Sequence, residues 1–244
     1  MAPADRVIVA LDVPSKDDAL RVVEDLDGLV SFYKVGLELL VSGGVEELLR
    51  ALAGKKQLFL DLKLPNDIPA TVTAAVRKAA SLGVRFLTLS HSAEPATMAA
   101  AVRGRAEGGR DARSMQLLTV PFLSSTSPED FARQAGRAAS DFRGELLRRA
   151  TEAKGFGADG FIVSGQEIAL LRERFPGATL VSPGIRPAWA GADDHKRSCT
   201  PSEAVLLGSD YIVVGRPIVK AGDRQARREA AGKVIDELTS RAPA

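Results

Sequence analysis

Short apolar runs and longer amphipathic stretches alternate along the whole chain, and several of the runs end in charge. Residues 6–13 form an apolar run ending in an acid, Asp12, the pattern of a strand buried on both faces. Comparable runs at 32–37, 58–60, 86–90, 115–120, 160–164, 178–182 and 211–214 predict further strands. Helical spacing fills the intervals: 14–26, 39–52 with a break at Gly43 and Gly44, about 67–80, 94–103, 129–154, 166–175, 200–207 and 223–240. Ser15 and Asp67 stand where helix N-caps belong. Pro65 ends the third strand near Leu64, because proline has no N–H to give a sheet ladder.

Eight strands alternating with helices in 244 residues is the count of a (β/α)8 barrel, one α/β domain spanning 1–244. An open doubly wound sheet would place a glycine-rich turn after its first strand, whereas Asp12-Val13-Pro14-Ser15 contains no glycine. The GxGxxG match at 155–160 precedes a strand instead of joining a strand to a helix, so it reads as a helix end and turn.

Composition narrows the class. Lysine and arginine (33) nearly balance aspartate and glutamate (31), and a net charge of +2 favours neither a nucleic-acid nor a membrane surface. A single cysteine, Cys199, excludes an internal disulfide framework and a cysteine-rich metal site. The N-terminus carries no signal pattern and no apolar run reaches spanning length, so a soluble cytoplasmic protein is expected.

In a barrel, chemistry collects at the C-terminal strand ends. The polar residues there are Asp12, Lys34, Asp61, Lys63, His91, Ser124, Ser125, Arg186 and Arg216. Asp61 and Lys63 are two residues apart and so share a face of an extended chain, where desolvating both charges is costly. Lys34 sits within a strand that should be buried, a poor place for lysine unless it is paired or functional. Asp12, Lys34, Asp61 and Lys63 alternate in sign on adjacent strands, so each lysine is held protonated and each acid ionised. Pro183-Gly184-Ile185-Arg186 and Gly215-Arg216 suit a phosphate, through backbone N–H groups and a cation. Singly, these features also read as a surface ion pair and as turns with a surface charge. Together they point to a barrel enzyme that acts on a phosphorylated small molecule with lysine and carboxylates, with no metal cluster evident.

Asp61-x-Lys63 followed by Asp67-Ile-Pro-x-Thr71, with Ala10-Leu-Asp12, Lys34-Val-Gly36, Pro183-Gly-Ile-Arg186 and Gly215-Arg-Pro217, resembles the orotidine 5′-phosphate decarboxylase family over residues 7–218. The resemblance implies decarboxylation of orotidine 5′-monophosphate to UMP in de novo pyrimidine synthesis, without cofactor or metal. It implies that Lys63 protonates C6, and that Asp61 lies beside the substrate carboxylate and keeps Lys63 charged. Lys34 and Asp12 would hold the ribose hydroxyls and the charge network, and Ser124 or Ser125 would contact the pyrimidine. Arg216 and the Gly215 amide would bind phosphate, with Pro183, Gly184 and Arg186 beside them. Asp67 and Thr71 would reach into the partner's site, making a homodimer with shared active sites.

The chain departs from the family pattern in places. Three residues, not two, separate Lys63 from Asp67, no glutamine occurs from 183 to 200, and strand four leads into His91-Ser-Ala-Glu-Pro95. Trp189 reads as a loop anchor or lid and Cys199 as packing, while a backbone contact, His195 or Arg186 would stand in for the glutamine. Two rivals are set against this reading. Magnesium-dependent sugar-phosphate relatives of the same superfamily carry an acid on strand two, where this chain has Lys34. A non-catalytic nucleotide-binding protein would have no need of the Asp61–Lys63 pair.

Overall fold

Successive strand residues face opposite sides of a sheet, and this period of two sorts the core into two layers. The structure, a computed structural model, describes residues 1–90, 93–109, 115–165, 167–190 and 198–239. Its parallel strands are β1 (Val7–Ala10), β2 (Phe32–Val35), β3 (Gln57–Leu64), β4 (Phe86–Ser90), β5 (Gln116–Val120), β6 (Gly160–Ile162), β7 (Thr179–Ser182) and β8 (Tyr211–Val214). They pair in chain order, and β8 closes on β1, giving the expected (β/α)8 barrel. The helices are α1 (Lys16–Asp25), α2 (Leu37–Ser42), α3 (Val45–Leu52), α4 (Pro69–Ser81), α5 (Pro95–Glu107), α6 (Pro128–Ala135), α7 (Phe142–Gly155), α8 (Glu167–Arg174), α9 (Pro201–Leu206), α10 (Arg216–Val219) and α11 (Arg224–Glu237). Among the described residues no helix is long and apolar enough to cross a membrane.

Inward strand positions such as Ile8, Phe32, Phe59, Phe86, Val181 and Tyr211 form the barrel interior, while Val7, Val9, Tyr33, Val35, Leu58 and Leu87 pack outward against the helices. The N-terminal end of the interior is closed by rings. Phe86 lies 5.1 Å from Phe32 and 5.2 Å from Tyr211, and the Arg85 guanidinium sits 5.5 Å from the Phe86 centroid while donating to Tyr211 Oη at 2.7 Å. With that end filled, the next inward positions along β2, β3 and β4 look onto the C-terminal mouth. Those positions are Lys34, Asp61 and Thr88.

The local signals mostly hold. Ser15 caps α1, accepting from the Asp18 amide at 3.1 Å. Gly43 and Gly44, at φ 87° and 75°, divide α2 from α3 where the break was expected. The GxGxxG match spans the end of α7 and the start of β6, as its position implied. Two expectations need correction, and one element was not foreseen. Asp67 is not the N-cap of α4: Pro69 opens the helix, Ile68 takes the cap position, and Asp67 lies one residue further out. Its carboxylate instead accepts from the Ile68 amide at 2.6 Å. The stretch 129–154 is two helices, because Gly136 turns left-handed (φ 62°) and ends α6 before α7 begins. The short helix α10 was not foreseen, since four residues are too few to show a period.

Candidate active site

The centre of the site is a break in the β3–β4 ladder. Phe59 and Leu60 pair with Phe86 and Leu87, but the next pair is Leu64 with Leu89, so β3 uses four residues where β4 uses two. The excess is taken up at 61–63, and Lys63 has φ 48°, the one positive value among the described non-glycine residues. That conformation costs a residue with a Cβ roughly 1–2 kcal/mol, and it directs Asp61 and Lys63 together toward the mouth. Thr88, fully buried, fills the gap in the ladder. Its hydroxyl accepts from the Lys63 amide at 2.9 Å and donates to Asp61 Oδ1 at 2.8 Å.

Four charges then form a continuous chain. Lys63 Nζ is 2.9 Å from Asp61 Oδ1, Lys34 Nζ is 3.6 Å from Asp61 Oδ2, and Lys34 Nζ is 3.0 Å from Asp12 Oδ1. Lys34 is 8% exposed, whereas the Lys63 side chain keeps about a third of its surface open (34%), so the array is sealed at the wall and open at Lys63. Burial pushes the Asp61 carboxyl upward. The charges of Lys34 and Lys63, with the hydrogen bonds from Lys63 and Thr88, outweigh burial and hold it below the ordinary aspartate value. Gly36 leaves room for this packing, since a Cβ there would lie 3.1 Å from Lys34 Nζ and 3.2 Å from Asp12 Oδ1.

A cavity of about 360 Å³ opens above the array, within the range of small-molecule sites. Asp12, Lys34, Asp61, Lys63, Ser124, Ser125, Pro183, Gly184, Arg186, Gly215 and Arg216 all line it, as the sequence led one to expect. Asp67 and Thr71 do not line it; both are exposed on their own chain. The apolar wall of Ala10, Phe59, Val120, Leu123, Ile162 and Val213 was not anticipated, although most of these are inward strand positions readable from the period of two.

The loops that carry the polar groups are anchored from behind. The Arg186 amide donates to the Cys199 carbonyl at 2.9 Å, Arg186 Nη1 donates to the Ile185 carbonyl at 2.8 Å, and Ile185 and Cys199 form a parallel bridge. Trp189 is 45% exposed, with Lys233 Nζ 5.7 Å from its ring. Burial pushes the Cys199 thiol up to about 11, in keeping with inert packing. Behind the Ser124–Ser125 loop, the Arg149 guanidinium lies 4.3 Å over the Phe122 ring and donates to the Pro121 carbonyl at 3.0 Å. Glu145 accepts from Arg148, Arg149 and Arg137, and the Arg148 hydrogen bond foremost drives its carboxyl down to about 2. Neither Arg149 nor Glu145 was found from sequence, because an i, i+4 pair on a helix resembles any solvated face. Within the three residues between Lys63 and Asp67, Asn66 Oδ1 accepts from the Glu94 amide at 2.8 Å and ties the β3 loop to the start of α5. His91 and His195 lie outside the described residues. Among the described residues no group of three His, Cys, Asp or Glu side chains converges as a metal site.

A closed parallel barrel whose C-terminal mouth gathers an ammonium–carboxylate chain and two Gly–Arg loops around one cavity has the arrangement of an enzyme site. The comparisons with known proteins make the class specific. The family model described as orotidine 5′-phosphate decarboxylase / HUMPS family matches residues 5–231, and the chain belongs to that family. A protein of Rhodopseudomonas palustris (strain BisA53) named orotidine 5′-phosphate decarboxylase is 44% identical over 236 residues, covering 96% of this chain and 94% of the relative. Its namesake from Methylorubrum extorquens (strain PA1) is 42% identical over 237 residues, covering 97% and 96%. The crystal structure of orotidine 5′-phosphate decarboxylase from Lactobacillus acidophilus superposes with a TM-score of 0.80 at 32% identity, covering 97% of this chain and all of that one.

Proposed function

We propose that this chain decarboxylates orotidine 5′-monophosphate to UMP and CO2, the closing step of pyrimidine nucleotide synthesis, with Lys63 as proton donor and without metal or cofactor. The observation that carries the proposal is the position of Lys63 Nζ, 2.9 Å from Asp61 at the open end of the charge chain and on the wall of the cavity. The phosphate would lie against Arg216, the Gly215 amide and Arg186, the pyrimidine against Ser124 and Ser125, and the ribose hydroxyls against Lys34 and Asp12. Cleavage of the C–C bond leaves its electron pair on C6 as CO2 departs. The Lys63 ammonium, already in place, stabilises that charge and delivers a proton to C6, and solvent reprotonates the lysine afterwards. Asp61, held ionised, faces the substrate carboxylate and raises the ground state relative to the carbanion. Contacts to the remote phosphate supply binding energy that the reacting centre uses.

The family also contains the HUMPS branch, and Lys34 supports the metal-free reading. Its ammonium bonds to Asp12 and contacts Asp61, occupying the space that a divalent cation bridging those carboxylates would need.

The assembly is proposed as a homodimer in the cytoplasm. Asp67 and Thr71 are exposed and absent from their own cavity, Ile68 between them is 68% exposed, and Leu37, Leu40 and Val41 on α2 are exposed as well. A second copy covering this face would bring Asp67 and Thr71 to its own site.

The deciding measurement is the absorbance change of orotidine 5′-monophosphate with purified protein, with and without excess EDTA. Turnover indifferent to EDTA is expected. No turnover by folded dimer, or turnover abolished by EDTA and restored by magnesium, would overturn the proposal.

A further inference from the structure

The β3–β4 junction contains a buried polar side chain, Thr88, to which the proposed reaction gives no role. We propose that Thr88 is a positioning residue for the decarboxylation: one hydroxyl both stabilises the left-handed Lys63 backbone and orients the carboxylate shared by Lys63 and Lys34. The inference rests on the proposed reaction and adds to it a group that touches no substrate.

Phe86, Thr88 and Ser90 occupy alternate positions of β4, and Thr88 lies on the inward side with no exposed surface. A buried threonine in an apolar barrel wall needs partners for its hydroxyl. Here it has two, and both belong to the catalytic pair. Accepting from the Lys63 amide at 2.9 Å satisfies a donor at the point where the β3–β4 register is broken. Its hydrogen bond to Asp61 Oδ1 at 2.8 Å goes to the oxygen that also meets Lys63 Nζ, leaving Oδ2 toward Lys34. A hydroxyl in this geometry donates once, so its orientation is fixed by Asp61 being ionised. The groups facing Asp61 are therefore Lys34 from β2, Lys63 from β3 and Thr88 from β4, with Asp12 beyond Lys34. Three of these are charged and cannot change without altering the reaction, which leaves Thr88 as the neutral member that adjusts geometry alone.

Thr88→Val keeps the shape and removes both hydrogen bonds; Thr88→Ser keeps the hydroxyl. In T88V kcat should fall roughly 10- to 100-fold, as expected for a lost hydrogen bond to a charged group, while KM stays within about twofold because no substrate contact is removed. T88S should recover kcat to within about threefold of wild type. The second readout needs no turnover: the Asp61 carboxyl, followed by carbon NMR, should titrate at higher pH in T88V than in wild type, and near wild type in T88S. If T88V does not fold, T88A is read in the same way. Unchanged kcat and an unchanged Asp61 titration would overturn the proposal, and so would a folded T88S as impaired as T88V. A wild-type protein that fails to turn over orotidine 5′-monophosphate overturns the reaction instead, and the Asp61 titration then judges Thr88 on its own.

Discussion

Replacing Lys34 with methionine tests whether the charge chain is a coupled unit. Methionine keeps the length of the stem and removes only the ammonium. Two contacts are lost, at 3.0 Å to Asp12 and 3.6 Å to Asp61. At an effective dielectric near 20 each corresponds to about 5 kcal/mol of attraction before desolvation. Asp12 is half exposed and rehydrates, and the variant no longer desolvates a lysine. What remains is Asp61, with a side chain only 14% exposed and one cation left, so the net loss is about 3 kcal/mol, the low end for breaking a buried pair. For a domain of this size that is a fall of roughly 6–12 °C in Tm. The sign in pH follows from the direction of the Asp61 shift. Its folded carboxyl lies below the ordinary value, so its contribution is fully present above the unfolded value of about 3.9 and is lost as pH falls through the lower folded one. The gap between wild type and K34M, measured by urea denaturation, should be complete at pH 7 and shrink in acid. Lys63→Met should cost less stability, since Lys63 is the more exposed lysine and Lys34 still faces Asp61, yet it should abolish turnover. A K34M loss under about 1 kcal/mol at pH 7, or a gap that widens in acid, would refute the coupling.

Arg216→Ala should raise KM for the phosphorylated substrate by roughly 10- to 100-fold, the worth of one charge-assisted hydrogen bond, in steady-state kinetics; an unchanged KM would remove Arg216 from the phosphate site. Mixed Asp67→Ala and Lys63→Ala chains should regain part of the lost activity in hybrid dimers, and none in verified heterodimers would count against shared sites. Glu145→Gln should cost about 2–4 kcal/mol at neutral pH, because a buried carboxylate meeting three arginines is neutralised. Since the folded Glu145 value is depressed to about 2, the gap from wild type should hold above pH 5 and close as pH falls from about 4.3 toward 2.

The barrel was legible because its strands are short, apolar and ended by charges, a pattern that survives without tertiary context. What failed were features decided by one residue's backbone. Gly136 divides a region whose spacing reads as continuously helical, and Pro69 moves the α4 cap away from Asp67, the better capping side chain. Each is a local geometry overriding a propensity.

The site was legible where charge stands against an apolar background and illegible where support comes from neutral or paired side chains. Asp61 and Lys63 were read as sharing a strand face, and they do meet, but a regular strand would not provide the observed geometry. The register skip and the left-handed Lys63 provide it, and neither has a sequence signal, since lysine is an ordinary residue with no preference for positive φ. The only clue is Thr88, a polar residue at an inward strand position. A polar side chain in a buried wall identifies something that needs a hydrogen bond, and here that need belongs to the two residues on which the proposed reaction depends. Arg149 over Phe122 and Lys233 beside Trp189 bring together side chains from a strand-end loop and a later helix, so these pairs come from tertiary packing and not from spacing. Charges at strand ends can therefore locate a site of this kind, whereas its precision depends on neutral and distant residues that only the folded barrel brings together.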